Sequence, residues 1–428
     1  KKFKAWIKIV INVISVIVIG MFAIIFFYIN RTYDFMDKIT SKNTITEKYY
    51  VMVKKECEYT DIRDLVNDSV GTYDEKIELY KKAIKKFNSL VDAKLVKYDA
   101  VDSMAKDLLN DKVKAIIISA AHKDTIDTDL DGFMDNTRIL YTIEIEIRVD
   151  KAVKHSNVNV TKDTFNIFLS GMDAYGNVSS RGRSDVNMII TVNPNTNEIL
   201  LTSIPRDYYV QLHGTTGNKD KLTHAGFYGT EMSINTIQDF LGIKFDYYVK
   251  VNFSTLINIV DIIGGVDVYS DKSFKPWTNG KIYINKGMVH MDGATALAFA
   301  RERHAYLEGD RHRVQNQQDV ITAIINKLTS STELLTKYTS LLNSVSNSLD
   351  TNIDMKNITS LNKLQLNKKP TWTIKKYSLN GTDSYNYTYT YGNQQLYVMN
   401  PMQDTINTAR TYINGIMDGK TFSQLGIN

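Results

Sequence analysis

The sequence predicts an α/β protein: a mixed central sheet flanked by helices, preceded by a small α+β unit and one membrane-spanning helix. Three observations carry this expectation. An apolar run without charge, IVINVISVIVIGMFAIIFFYI, fills residues 9–29. From Phe165 onward, short β-rich runs recur with turn residues between them. Helix-period segments at 254–263, 292–301 and 313–328 interleave with those runs, which is the pattern of the α/β class.

The apolar run spans roughly 30 Å at about 1.5 Å per residue, the thickness of a bilayer hydrocarbon core. Lys1, Lys2, Lys4 and Lys8 precede it, so the positive-inside rule puts the N-terminus in the cytoplasm and the chain after Arg31 outside. The run ends in FFYINRTYD, without the small-residue cleavage site of a signal peptide, so residues 1–30 are expected to form an uncleaved single-pass anchor. Hydrophobic content of 43% and charged content of 23% are ordinary for a globular protein. A net charge of +5 is small for 428 residues and gives no reason to expect a nucleic-acid partner. Cys57 is the lone cysteine, which excludes an intrachain disulfide and a cysteine-pair zinc site. An extracytoplasmic chain without disulfides suits a Gram-positive bacterium.

Residues 31–60 are polar and mixed, and are expected to form a stem. Residues 61–150 are expected to form an accessory α+β domain. In it Leu79, Ala83, Ile84, Phe87 and Leu90 keep a helical period, and KAIIIS (114–119) and RILYTIEIEIRV (138–149) read as strands. DTDLDGFMD (127–135) starts like a calcium loop, but Arg138 stands where a bidentate glutamate is needed, so a polar turn is expected. Residues 151–163 read as a linker, and residues 164–428 as the main α/β domain.

In that domain FNIFLS (165–170), VNMIITV (186–192) and EILLTSI (198–204) read as strands. The short NPNTN turn between the last two suggests an antiparallel meander. The end of the first strand, the start of the second and the end of the third then meet at one sheet edge. Asp173, Arg183, Asp185, Arg206 and Asp207 stand at those three boundaries. They could be ion pairs alone, or a magnesium–phosphate site in which carboxylates hold the ion and arginines grip phosphate oxygens.

The stretch ARERHAYLEGDRHR (300–313) tips the balance toward an anion site. Asp292 can cap a helix that Arg301 ends, with Arg303 two residues on. Arg313 begins the next helix, where the dipole disfavours a cation but free N–H groups suit an anion. Gln317 lies one turn later, and Asp310 can cap that helix or act as a base. Arg311, His304 and His312 are expected to be solvated loop positions. The C-terminal tail is expected to add the domain's last edge through strands at 372–379 and 394–399 and a helix at 401–418. No P-loop, nucleophile elbow, zinc-protease or dinucleotide motif is present.

The blocks FLSGMD, RSD, LLTSIPRD, KLTHAGFYG, YYVKVNFSTLINIVDIIGGVDV, MDGATALAFARER and GDRHRVQNQQ, in this order over about 165–318, resemble the LytR–CpsA–Psr (LCP) family. The anchor and accessory domain resemble its capsule-type members. The resemblance implies a magnesium-dependent transferase outside the membrane. Its donor is a polysaccharide or other anionic polymer on polyprenyl pyrophosphate, its acceptor a peptidoglycan sugar hydroxyl, and its product a phosphodiester. By position it implies Asp173 and Asp185 as magnesium ligands. Arg183, Arg206, Arg301, Arg303 and Arg313 match the pyrophosphate arginines, with Gln317 beside them. Arg206, Arg301, Arg303 and Asp310 are the expected catalytic set, and 247–263 is the expected wall of a lipid pocket. Two departures stand out: Val186 in RSDV, and Asn316 where many members carry another arginine. Partners implied are the lipid-linked polymer, peptidoglycan, membrane lipid and capsule-assembly proteins. A lipid pyrophosphate hydrolase would use the same residues. A regulator or capsule-assembly scaffold, with 46–150 as its docking part, is the remaining alternative.

Overall fold

The computed structural model describes residues 44–427, apart from 74–77, 121, 124–125, 127–129, 131, 149–155, 174–180, 331–344, 346–348 and 393–394. The expected anchor at 9–29 and residues 127–129 and 131 of the calcium-like turn lie outside the described residues. No helix among the described residues is long and apolar enough to cross a membrane.

The N-terminal unit is built from β1 (Thr44–Lys54), β2 (Ser69–Tyr73), α1 (Glu78–Leu90), β3 (Lys94–Tyr98), α2 (Val101–Leu109), β4 (Ala115–Ser119), α3 (Phe133–Asn136) and β5 (Thr137–Arg148). Its sheet runs β3-β2-β4-β1-β5. The expected stem at 31–60 is corrected here: residues 44–54 are the strand that joins β4 to β5. Lys48 and Lys54 make β1 read as polar, yet Tyr49, Val51, Met52 and Val53 are buried. The helix expected over 79–90 is present, and its Leu79, Tyr80, Ala83 and Phe87 pack into this core.

The second unit has a six-stranded sheet in the order β14-β11-β6-β7-β8-β15. The expected meander is β6 (Phe165–Met172), β7 (Ser184–Asn193) and β8 (Glu198–Ile204), all antiparallel. Two short strands, β9 (Tyr209–Val210) and β10 (Asp220–Lys221), pair beside it. They are followed by α4 (Ala225–Tyr228) and α5 (Thr230–Leu241). β11 (Tyr247–Asn252) adds parallel to β6, and α6 (Phe253–Ile262) follows it directly. β12 (Val266–Ser270) and β13 (Gly287–Met291) form a separate ribbon. Then come α7 (Gly293–Arg301), α8 (Asp310–Ser330), β14 (Leu349–Thr351), α9 (Met355–Lys368), β15 (Thr373–Ser378), β16 (Gly381–Tyr387), β17 (Gln395–Pro401), α10 (Gln403–Met417) and α11 (Phe422–Leu425). Of the two strands expected in the tail, β15 closes the sheet parallel to β8, while β17 pairs with β16 in a ribbon of its own.

Successive strand residues face opposite sides, and both sides are covered. Phe168, Ile189 and Leu200 pack with α5 and α10. Leu169, Met188 and Leu201 pack with α8 and α9. The ribbon, α6, α7 and α8 enclose a further core around Val260, Phe274 and Phe299. A sheet covered on both faces leaves its strand ends as the place for polar chemistry, and the functional residues stand there.

Candidate active site

Asp185 owes its position to a β-bulge. Gly171 pairs with Val186 and Met172 with Ser184, so Asp185 is the extra residue on β7. A bulge re-aims a side chain out of the ladder. The bulge needs glycine opposite: a Cβ on Gly171 would meet Val186 Cβ at 2.8 Å. Arg183 precedes the same strand, held by a close backbone approach in which Gly182 N–H donates to Gly226 O at 3.3 Å. A Cβ on Gly226 would fall 2.1 Å from Gly182 O, which explains the glycine in KLTHAGF.

Arg206 follows Pro205 at the end of β8. Its guanidinium stands 2.7 Å from Asp185 Oδ2, 3.5 Å from Asp207 and 3.8 Å from Asp310. Thr223 Oγ1 donates to the other oxygen of Asp185 at 3.1 Å, and Lys221 Nζ pairs with Asp207 at 2.8 Å. Burial raises the Asp185 pKa, but Arg206, Arg313 and Arg183 outweigh it and bring the carboxyl down to about 2. Asp173 goes the other way: burial and the neighbouring Asp185 charge push it up despite Arg301. The Arg206 guanidinium is buried, yet Asp185, Asp310 and Asp207 raise its pKa further.

Arg301 ends α7, where a cation complements the helix dipole. It lies 3.3 Å from Asp173 and 4.2 Å over the Phe253 ring. Asp310, in the first turn of α8, sits 2.8 Å from Arg313 and supplies the anion that a cation at a helix start needs. Arg313 is buried at 8% exposure, and burial and Arg206 lower its pKa. Its buried Nε finds no hydrogen-bond partner among the described residues.

These groups line a polar basin of about 560 Å³. Arg183, Arg206, Arg301, Arg303, Arg313, Asp173 and Asp185 all face it, with Asp207, Lys221 and Thr223. Adding Asp102, cations outnumber carboxylates six to four among the described residues of its wall, so ion pairing among these does not use up the guanidinium groups. A second, apolar slot of about 100 Å³ adjoins it. Leu169, Met172, Val186, Val251, Phe253, Leu256, Leu297, Val320 and Ile321 line the slot. Asp173, Asp185, Arg301 and Arg313 belong to both linings. The expected wall at 247–263 thus contributes Val251, Asn252, Phe253 and Leu256.

Some expectations shift in detail. Gln317 lines the slot and not the basin, and Asp310 lines neither, bracing Arg313 and Arg206 instead. Arg311 is a structural pin, bonded to Asn380, the Gly381 carbonyl and Asp383. His304 lies against Trp277 and His312 against Tyr306. Asn316 is buried and donates to Phe299 O at 3.1 Å, so it serves the α7–α8 contact. Val186 puts a hydrocarbon side chain on the slot wall.

Sequence reading missed one wall entirely. His122, Asp102, Val101 and Ile126 of the N-terminal unit line the basin, as does Tyr391 of the tail. His122 bonds to Ser119 at 2.8 Å and Tyr391 at 3.0 Å, and stacks on Phe227 at 5.2 Å. Burial, aided by Arg183 and His224, lowers its pKa to about 3, so it is neutral. The two units are also tied by Glu47, which accepts from Arg181 N–H at 3.1 Å. A lone histidine in the sequence carries no signal for this.

Asp173 and Asp185 suit a hard cation, because their mutual repulsion is what a bound ion would relieve. Among the described residues no cluster of three metal-ligating side chains forms, so substrate oxygens and water would complete any shell.

A bacterial relative, a polyisoprenyl-teichoic acid–peptidoglycan teichoic acid transferase TagU of Bacillus cereus, is 36% identical over 220 residues, covering 51% of this chain and 70% of that protein. The TagV crystal structure of B. subtilis superposes with a TM-score of 0.51 at 30% identity, covering 60% of this chain and 98% of that one. A structure of TagT bound to LIIa-WTA gives 0.51 at 27% identity, covering 62% and 97%. The family model described as the LytR_cpsA_psr family matches residues 136–407, well over half of the chain. That segment carries the five basin arginines, Asp173, Asp185 and the whole apolar slot, and the chain belongs to the LytR–CpsA–Psr family.

Proposed function

We propose that the protein transfers a glycopolymer, capsular or otherwise anionic, from polyprenyl pyrophosphate to a sugar hydroxyl of peptidoglycan. The observation that carries this reading is the shared boundary of the two cavities. A molecule with an apolar tail and a doubly phosphorylated head matches a slot that opens among arginines. The similarity to a protein named as a polyisoprenyl-teichoic acid–peptidoglycan transferase supports the reaction class. The apolar run at 9–29 would hold the basin near a lipid-borne donor, outside the membrane.

In the transfer, the acceptor hydroxyl oxygen bonds to the glycan-bearing phosphorus. The bond from that phosphorus to the bridging oxygen breaks, and polyprenyl phosphate departs with the bond's electrons. The hydroxyl proton passes to a carboxylate of the basin or to water. Negative charge grows on the bridging oxygen, and Arg206, Arg301, Arg303 and Arg313 are in place to stabilise it. Asp310 acts by positioning Arg206 and Arg313. Asp173 and Asp185 would hold the magnesium ion, which when bound neutralises phosphate charge.

The test is reconstitution with a synthetic polyprenyl-pyrophosphoryl oligosaccharide and peptidoglycan. Phosphodiester-linked product should form together with polyprenyl phosphate. Arg206→Ala and Arg301→Ala should each cut it by about 10²–10³-fold in folded protein; undiminished transfer in both sinks the site assignment. Polyprenyl phosphate released at an unchanged rate without acceptor would point to hydrolysis instead.

A further inference from the structure

Trp277 has no part in the phosphate chemistry, yet it lines the basin. It is 59% exposed, unusual for a tryptophan outside a contact surface. The backbone that carries the ring is held in place. The Trp277 main-chain N–H donates to Glu302 Oε2 at 2.7 Å, and Glu302, 1% exposed, also accepts from the main-chain N–H groups of His304 at 2.6 Å and Ala305 at 2.8 Å. That carboxylate joins the 277 loop to the loop that carries Arg303. The Arg303 guanidinium lies 5.9 Å from the Trp277 ring centre, and the His304 ring lies 4.9 Å away. One wall of the basin therefore carries an exposed aromatic face, on an anchored loop, beside the Arg303 guanidinium. Thr278 and, from the N-terminal unit, Asp102 line the same basin and offer hydrogen-bonding groups.

We propose that Trp277 is the stacking platform of a pyranose subsite, with Arg303 placing a phosphate beside that sugar. A pyranose presents a flat face of C–H groups and a rim of hydroxyls. It needs an aromatic surface with polar groups at the edge, and an aromatic side chain with two χ angles supplies that area at low ordering cost. A lipid-borne pyrophosphate needs only the slot and the arginines, and neither explains an exposed indole at the rim. The proposal rests on the transferase reading for the identity of the sugar-bearing substrate, but sugar binding itself is testable alone. The ring could belong to the donor's first sugar or to the acceptor glycan.

The full chain in detergent is titrated with a β-1,4-linked N-acetylglucosamine tetramer, with saturation-transfer NMR and tryptophan emission as readouts. Trp277→Leu should weaken binding at least tenfold and remove the emission change, while Trp277→Phe retains part of the affinity. Geranylgeranyl pyrophosphate should bind the parent and Trp277→Leu alike. If it fails to bind the parent, the donor reading falls while the sugar titration still decides the subsite. If a prenyl-pyrophosphoryl N-acetylglucosamine competes with the tetramer, the subsite serves the donor sugar; if both bind together, it serves the acceptor. Equal tetramer binding by parent and Trp277→Leu, or none by the parent, overturns the proposal. So does emission that responds to anionic phospholipid vesicles and not to the tetramer.

Discussion

Replacing Arg206 with alanine removes the cation on which the basin's carboxylates converge. Asp185 loses its partner at 2.7 Å, while Asp207 keeps Lys221 at 2.8 Å and Asp310 keeps Arg313 at 2.8 Å. The damage therefore concentrates on Asp185. Breaking one side of a buried pair costs about 3–5 kcal/mol. A second route starts from the carboxyl itself, held at about 2 against an ordinary 3.8. Losing that depression costs roughly 2.5 kcal/mol at about 1.36 kcal/mol per pKa unit. Thr223 and the fields of Arg313 and Arg183 remain, so about 3 kcal/mol is expected. In a domain of this size that lowers Tm by about 6–10 °C. The sign with pH follows from linkage. A depressed carboxylate stabilises fully above its unfolded pKa of 3.8 and loses that contribution as pH falls through about 2. The gap between parent and Arg206→Ala should be widest at neutral pH and narrow toward pH 3 in scanning calorimetry. Transfer should fall by about 10²–10³-fold, the usual cost of one preorganised donor. Arg206→Lys should not restore it, since an ammonium cannot reproduce the bidentate fork. A Tm change under 2 °C, or a gap that widens on acidification, would refute this account.

Inorganic pyrophosphate should raise the Tm of the parent, by about 2.7 kcal/mol of added stability at a hundredfold excess over Kd, and leave Arg206→Ala nearly unmoved in the same thermal melts. Leu256→Asp puts a carboxylate on the slot wall. It should abolish use of long-chain donors while pyrophosphate binding persists, read by paired transfer and calorimetric titration. His122 is buried neutral with a pKa near 3, below its unfolded 6.5. Stability should therefore fall as pH drops below 6.5, by roughly 2 kcal/mol at pH 5 from this group alone. Urea unfolding of His122→Gln should show a flatter profile. Transfer should stop on chelation and return with added magnesium in the parent but not in Asp185→Asn; activity indifferent to chelator would remove the ion from the scheme.

The amino-acid pattern alone determined a good part of this protein. Short apolar runs, the last two separated by the NPNTN turn, specify the β6–β7–β8 meander, because strand propensity and turn chemistry are local. That meander by itself gathers Asp173, Arg183, Asp185 and Arg206 at one edge. The Asp292 cap and the apolar period place α7 and α8, and with them Arg301 and Arg313. Only the tertiary structure decided the rest. β11 pairs parallel to β6 across some eighty residues of chain, and β1 crosses a unit whose ends look like stem; no local signal encodes such long-range pairing. The bulge that re-aims Asp185, the separation of Asp310 and Gln317 from the basin, and the merging of slot and basin at four residues all arise from packing. So does the wall formed by His122 and Tyr391, which are 269 positions apart and yet share a hydrogen bond. Sequence specifies chemistry at strand and helix ends through local hydrogen bonding and periodicity, but a cavity is bounded by surfaces that meet only when distant elements bury their apolar faces together.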